Sequence, residues 1–305
     1  MTGRRARRPR RSLAHQTILP LGVIIAVLLS GCANVLQGES GGSGETGDPS
    51  SPLHDHATGH EDVLVSIKVG GGLLPREYHL RSIPDFLLLG DGTAVVGGVT
   101  IAIYPGPAIA PLQSATLSEG QIQELFAAAD DAGLLDGDID YGQPAVADAP
   151  VTDVEITVDG RTVRQSAYAL GFNDDPGAGL SATQIAARQA LQGFIDAAHG
   201  TVDSASAGYE PTGVVVYRLS GDAGPPVDEP ELAQPSQVWP ITTAPAVPTE
   251  SESGVATCVV VTGSEAATLL DALAQANELT PWLIGADSPA RMVFRPLLPG
   301  DPGCE

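Results

Sequence analysis

The sequence predicts an α+β fold in which an antiparallel sheet carries helices on one face. Three observations lead to this prediction: apolar strands broken by glycine-containing turns, two helix capping boxes that precede apolar stripes, and a pair of cysteines near the C-terminus. Hydrophobic residues make up 43% of the chain, which is sufficient for packed cores. The pattern divides the folded part into an α+β domain at 62–200 and a smaller, disulfide-tied α+β domain or lobe at 201–305, which includes a Pro-rich loop at 221–253.

The strands of 62–200 are predicted from alternation and from turn residues. Val63, Val65 and Ile67 alternate with the side chains between them, as in a strand with two different faces. Gly90-Asp91-Gly92 separates two apolar runs and Asp159-Gly160 separates two more, so each marks a β-hairpin. A two-residue turn at Asp159-Gly160 brings opposite charges together across the strands. The predicted pairs are Ile156 with Val163, Glu155 with Arg164, and Thr157 with Thr162.

Two helices are predicted from their N-terminal caps. Ser118 with Gln121 and Ser181 with Gln184 both have the spacing of a capping box. Apolar residues follow each cap at helical spacing, and a glycine stands where each helix is expected to end. The apolar positions are Ile122, Leu125, Phe126 and Ala129 before Gly133 in the first helix, and Ala187, Leu191, Phe194, Ile195 and Ala198 before Gly200 in the second.

The C-terminal region repeats the mixture of strands and helix. Strands are predicted at 214–217, 255–261 and 292–294, with a helix that opens at Ser264. Trp239 lies in the Pro-rich loop, and its large apolar surface predicts that this loop wraps over the fold.

Cys258 and Cys304 predict a disulfide bond. They are the two cysteines that remain after Cys32, and an even pair in an exported protein is expected to be oxidised. The bond would tie the C-terminus to the strand that contains Cys258. Two free thiols or a shared metal ion are the alternatives.

The N-terminus predicts export. Six arginines between Arg4 and Arg11 precede the apolar run Ile18–Leu29, which is too short for a spanning helix and suits the centre of a signal peptide at 1–31. Leu29-Ser30-Gly31-Cys32 resembles the lipobox of bacterial lipoproteins. The resemblance implies that Cys32 is diacylated and that the protein is held on the extracytoplasmic face of the cell membrane by its acyl chains. A plain secretory signal with a chance cysteine is the alternative.

Residues 32–61 are predicted to be a flexible tether. Gly, Ser, Glu, Asp and Pro dominate this segment, which has no apolar period and cannot bury enough surface to offset the entropy of ordering. The tether would hold the folded part away from the membrane.

The charge of the mature chain excludes some partners. Six of the 15 basic residues lie in the signal, which leaves 9 against 37 acidic residues and a formal net charge of −28. Such a surface repels phosphate backbones, so no nucleic-acid partner is expected. It also disfavours direct adsorption to anionic lipid, which leaves membrane attachment to the lipid anchor.

The middle region resembles a bacterial domain family of unknown function that occurs in exported proteins. The resemblance is carried by the order of the Leu89-Gly90-Asp91-Gly92 hairpin, Leu117-Ser118 at a helix start, Tyr141, Asp148-Ala149-Pro150, the Val158-Asp159-Gly160 hairpin and Tyr168-Ala169-Leu170. The whole chain resembles uncharacterised lipoproteins of high-GC Gram-positive bacteria. These resemblances bear on fold and location and imply no activity.

Two clusters are candidate metal sites. His54, His56 and His60 have a spacing at which imidazoles can share one divalent ion; the alternative is a solvated linker that happens to be rich in histidine. Asp136, Asp138 and Asp140 have the spacing that opens a calcium loop. Tyr141 and Ala147 replace the glycine and the glutamate of an EF-hand, so only a looser calcium site or a polar turn remains.

Catalytic motifs are scarce. Residues 38–42 spell G-x-S-x-G inside the tether, without a preceding strand, which indicates a chance match. His79, with Tyr78 and Arg76, either lines a pocket or lies on a surface strand. No phosphate loop or dinucleotide-binding glycine pattern occurs, so no cofactor is expected. The sequence favours a non-enzymatic interaction or structural module with an envelope protein partner, ahead of an extracytoplasmic hydrolase or a divalent-metal or calcium-binding protein.

Overall fold

The computed structural model describes residues 54–172, 179–202, 207–221, 229–248, 256–286 and 289–304. Residues 51–305 form one compact unit. The predicted signal, Cys32, the tether as far as residue 53 and the G-x-S-x-G match lie outside the described residues, as does part of the Pro-rich loop. In the part of the chain that is described, no helix combines the length and the apolar character needed to cross a membrane.

A larger lobe is built on an antiparallel sheet of seven strands. Its elements in chain order are β1 (Val63–Gly71), α1 (Arg76–Arg81), β2 (Phe86–Leu89), β3 (Thr93–Gly97), β4 (Leu112–Thr116), α2 (Glu119–Asp131), β5 (Pro150–Val158), β6 (Arg161–Tyr168), a 3₁₀ turn (Leu170–Phe172), α3 (Ala182–Gly200) and β7 (Ala207–Gly208). The strand order is β6-β5-β1-β2-β3-β4-β7. The predicted β5–β6 register is confirmed, and Arg164 Nε donates to Glu155 at 2.7 Å.

Helices α2 and α3 begin as the capping boxes predict. Ser118 and Ser181 each accept a hydrogen bond from the backbone N–H three residues later, and the glutamine side chain at that position accepts from the backbone of the serine. Their apolar stripes pack on the sheet in one core that includes Leu64, Ile67 and Ile156. The predicted fold class, an antiparallel sheet with helices on one face, is therefore confirmed.

A smaller lobe follows, and it also has antiparallel strands and one helix. Its elements are β8 (Gly213–Leu219), a 3₁₀ turn (Pro230–Leu232), β9 (Gln237–Val238), β10 (Ala256–Thr262), α4 (Gly263–Leu273), β11 (Trp282–Leu283) and β12 (Met292–Leu297). The main sheet has the order β10-β8-β12, and β9 pairs with β11 in parallel. Trp239 is buried, as its surface predicts, with its ring 5.6 Å from that of Trp282.

The C-terminus is tied back to β10 by the predicted disulfide. Cys258 and Cys304 are bonded, with their Cα atoms 5.6 Å apart. Tyr217 on β8 donates its hydroxyl to the Gly303 carbonyl at 3.3 Å, and Arg295 on β12 donates to Asp301 at 2.7 Å. These contacts hold the last turn of the chain on the three-stranded sheet.

The parts of the chain before and after residue 200 pack against each other. The strand β7 lies beyond that boundary but pairs with β4 in the larger sheet. Leu298 of the smaller lobe packs against Leu87, Leu89 and Val95 of the larger one. The described residues therefore form two α+β lobes that pack against each other.

Candidate interaction surface

Residues 54–62, called the strap below, run along one end of the larger sheet. The His54 N–H donates to Gln123 on α2 at 3.0 Å, and the Gln123 amide donates back to the His54 carbonyl at 2.9 Å. The Asp55 N–H donates to the Asp159 carboxylate at 2.8 Å, while the Asp159 N–H donates to the Asp55 carbonyl at 2.8 Å. The tether prediction for residues 54–61 is therefore corrected, because backbone and side-chain hydrogen bonds attach them to the fold.

The backbone of the strap also lies very close to the backbone of Gly90. The Gly90 N–H donates to the Asp62 carbonyl at 2.8 Å. A Cβ atom on Gly90 would lie 2.6 Å from the Ala57 carbonyl oxygen, so only glycine allows this contact. The strap thus covers the turn between β2 and β3, and we call this side of the sheet the strap end.

The three strap histidines turn toward different partners. His54 Nδ1 lies 3.0 Å from Asp159 Oδ2, His56 Nε2 lies 3.2 Å from Glu119 Oε2, and His60 Nε2 lies 3.2 Å from Glu61 Oε1. The rings of His54 and His56 also contact Phe126, with centroids 5.9 and 5.7 Å away. The predicted shared metal site is not assembled, because each ring is drawn to a separate carboxylate.

Hydrogen bonds to the strap change the acidity of its carboxylate partners. Donation from His54, together with the Asp55 N–H, holds the pKa of Asp159 below its usual value. Donation from Gln123, followed by that from His56, lowers the pKa of Glu119 in the same way. Both contacts therefore depend on ionised carboxylates.

The predicted calcium residues form an exposed turn. Asp140 accepts hydrogen bonds from the Gly142 N–H at 2.8 Å and from the Gln184 amide at 3.0 Å, and these bonds lower its pKa. Asp136 and Asp138 are exposed on the same turn. Within the described ranges, no three His, Cys, Asp or Glu side chains are grouped so that they could hold a metal ion.

His79 lies on a helix, which corrects the surface-strand alternative. Helix α1 exposes His79 and turns Leu80 toward a cluster with Val215 and Val293 in the smaller lobe. The packing of Leu80 explains why a short helical turn forms here. No described arrangement places His79 with a nucleophile or a carboxylate.

The opposite end of the sheet carries an uncharged, exposed loop. Residues 92–118 contain no Asp, Glu, Lys, Arg or His. Their central part, residues 98–111, connects β3 to β4 and is called the uncharged loop below. At its tip Val99 is 87% exposed, Ile101 73% and Ile103 61%. Large apolar side chains grouped in the open are typical of a binding surface.

The uncharged loop is fixed at its base although its tip is exposed. The Gly98 N–H donates to the Pro111 carbonyl at 2.7 Å, which closes the loop. Glu278 accepts from the Gly106 N–H at 2.7 Å, and its own N–H donates to the Gly106 carbonyl at 3.0 Å. The loop therefore presents its apolar tip from a supported position.

Two concave regions border residues 99–104 of the loop. An open groove of about 620 Å³ lies between the loop and residues 274–277, and no charged side chain lines it. A smaller cleft of about 200 Å³ lies between α1 and a wall formed by Glu278, Arg291 and Val293. Tyr104 from the loop and Tyr78 from α1 both line the cleft, which joins the loop and α1 into one surface that we call the far end.

No protein-family model and no curated protein matches this chain.

Some of these residues carry a sequence signal and others do not. The absence of charge over residues 92–118, in a chain with 37 acidic residues, is visible in the sequence and points to the loop. The cleft has no such signal, because Tyr78 and Tyr104 come from different elements. Arg188 was also missed: it is fully buried within the stripe of α3, where it donates to the carbonyls of Tyr141, Tyr168 and Ala169.

Proposed function

We propose that this protein is a lipid-anchored extracytoplasmic protein that acts as an interaction module without catalysis, and that its far end binds an envelope protein. The observation that carries the proposal is the uncharged loop. Its apolar tip is exposed, its base is held by hydrogen bonds, and the chain as a whole is strongly acidic. Anchoring is supported by the lipobox-like sequence at Cys32, and export is supported by the Cys258–Cys304 disulfide.

The proposed partner presents an apolar segment flanked by basic residues. The apolar part would cover Val99, Ile101 and Ile103, whose exposed side chains have no charged neighbour within the loop. The basic flanks would meet the acidic body, because a formal charge of −28, from 9 basic and 37 acidic residues, attracts positive segments and accelerates their association.

The position of the strap favours presentation of the far end to such a partner. The chain leaves the described body at His54, at the strap end. Strand β3 alone, five residues long, separates the strap-covered turn from Gly98 by about 17 Å. Residues 33–53 span at most about 70 Å when extended, so the body stays near its anchor while the loop faces away from the chain's exit.

The alternatives receive less support. A hydrolase would need converging polar groups around His79 or an acidic pair, and His79 is exposed on α1. A metal-binding role would need the His54 or Asp136 cluster to converge, and the described residues of both clusters point to separate partners or to solvent.

Crosslinking in intact cells tests the partner. A photo-crosslinking amino acid at position 101 is expected to capture an envelope protein, whereas the same group at exposed Thr58 on the strap is expected to give no such adduct. A synthetic peptide from the captured segment should then bind the purified protein, and both added salt and Ile101→Ser should weaken its binding. A lipid adduct, an adduct with a second copy of this chain, or no adduct would contradict the proposal.

Fractionation tests the anchor separately. The native chain is expected in the membrane fraction, and Cys32→Ser is expected to release it because the acyl chains can no longer be attached. Retention of the serine variant on membranes would contradict lipid anchoring.

A further inference from the structure

The cleft at the far end has a composition unlike the groove beside it. Two tyrosines, two arginines and two glutamates line it: Tyr78, Tyr104, Arg81, Arg291, Glu77 and Glu278. Its volume of about 200 Å³ is smaller than the roughly 300–1,000 Å³ of sites for drug-sized ligands. This volume limits an occupant to a single small ring or a unit of similar size.

The charges in the cleft are already paired. Arg81 Nη1 lies 2.7 Å from Glu278 Oε2, and Arg291 Nη2 lies 3.1 Å from Glu77 Oε1. A charged ligand would have to replace one member of an ion pair, and the other member would then lose its ionic partner. A neutral polar ligand adds hydrogen bonds without breaking either pair.

Unused hydrogen-bonding capacity remains around the pairs. The side chains of Arg291 and Glu77 are 45% and 27% exposed, so a guanidinium with five N–H donors and a carboxylate with two oxygens can be reached from the cleft. The cleft therefore offers donors and acceptors side by side.

The tyrosines add apolar faces and hydroxyls. Tyr78 is 54% exposed and Tyr104 is 58% exposed, so both can contact a ligand without rearrangement. Partial burial, followed by the negative charge of Glu278, raises the pKa of Tyr104, which keeps its phenol a neutral donor at physiological pH. An aromatic side chain with a polar edge suits a ligand that has both C–H faces and hydroxyl groups.

We infer that this cleft binds a single unit of a neutral saccharide. Such a ring has apolar C–H faces for the two tyrosines and hydroxyls that both donate to carboxylates and accept from guanidinium groups. It is uncharged, so the two ion pairs stay intact. The inference rests on the cleft alone and does not depend on the protein partner proposed for the uncharged loop.

Saturation-transfer NMR on the full chain, held in a detergent without a sugar headgroup, tests this inference. The probes are glucose, galactose, mannose, arabinose, N-acetylglucosamine and their short oligomers, with free arginine and glutamate as charged comparisons. Transfer to the ring C–H protons of at least one neutral sugar is expected. Tyr104→Ala should weaken binding about tenfold, since it removes one of the two aromatic faces.

Two further variants separate binding from folding. Tyr78→Ala should weaken the same sugar by a similar factor, and Ile101→Ser in the neighbouring loop should leave its affinity unchanged. Absence of transfer from every neutral sugar would overturn the inference. It would also be overturned if both tyrosine variants, shown to be folded by circular dichroism, bound as well as the native chain, or if only the charged probes bound.

Discussion

The strap end and the far end of the larger sheet are opposite in character. At the strap end, the composition of the strap is typical of a flexible linker, yet paired hydrogen bonds attach it to Gln123 and Asp159. At the far end, Val99, Ile101 and Ile103 are exposed although they belong to the most apolar type of side chain. The comparison shows that composition alone predicts neither attachment nor burial, because both depend on what the fold places nearby.

The largest effect is expected from removing the aromatic contact of the strap end. Phe126 is fully buried under the rings of His54 and His56. Phe126→Ala should lower the free energy of unfolding by about 3–5 kcal/mol, because a buried phenyl ring leaves a cavity. Urea denaturation measures this loss. A change below about 1 kcal/mol would mean that the strap and α2 are not packed as described.

A slightly smaller effect is expected from the disulfide, which fastens the chain's last turn to β10 of the smaller lobe. Gly300 packs so closely on Val63 that a Cβ atom there would lie 2.9 Å from a Val63 methyl group. Replacing Cys258 and Cys304, which are 46 residues apart, with serine should cost about 2–4 kcal/mol because the unfolded chain gains freedom. Thermal unfolding of the double variant, compared with the oxidised and the reduced native chain, measures it.

A local effect is expected when acid removes the carboxylate charges under the strap. The lowered pKa values of Asp159 and Glu119 mean that both contacts stabilise the strap at neutral pH and lose this effect as the pH falls below about 4. The hydrogen-exchange protection of residues 54–58, measured relative to the intrinsic exchange rate at each pH, should therefore fall in acid before that of β1 does.

Asp159→Asn is the matched test of that acid response. Asparagine tolerates the left-handed backbone at this position, where φ is 51°, but it carries no charge. The strap should exchange faster at neutral pH in this variant and respond less to acid. Asp153→Asn, an exposed change on the neighbouring strand, should leave the strap as it is. Equal responses of the two variants would contradict the role of Asp159.

The smallest effect on stability is expected at the far end. Ile101 is 73% exposed, so Ile101→Ser should change the free energy of unfolding by no more than about 0.5 kcal/mol. The same urea titration that measures Phe126→Ala serves here. A loss above 1–2 kcal/mol would show that the loop tip is part of a core and not a surface for a partner.

Local patterns predicted most of the fold. The Asp159-Gly160 turn fixed the β5–β6 register, and the caps at Ser118 and Ser181 fixed the starts of two helices, because these signals involve residues close in the chain. The burial of Trp239 was also predictable from its size.

Contacts between distant residues were beyond prediction. His54 meets Asp159 across 105 positions, so its sequence neighbours suggested a linker or a metal site. Arg81 meets Glu278 across 197 positions, which is why the cleft could not be anticipated. The burial of Arg188 could not be predicted for a different reason. A charged side chain is expected to be exposed, and the sequence does not show the backbone carbonyls that surround this one.

The last turn of the chain has a practical consequence. Because Cys304 is bonded to Cys258 and the Gly303 carbonyl accepts from the Tyr217 hydroxyl, a protein shortened before Gly303 would lose both attachments of its last turn. An affinity handle inserted between β3 and β4 would instead mask Ile101 and the tyrosine-lined cleft.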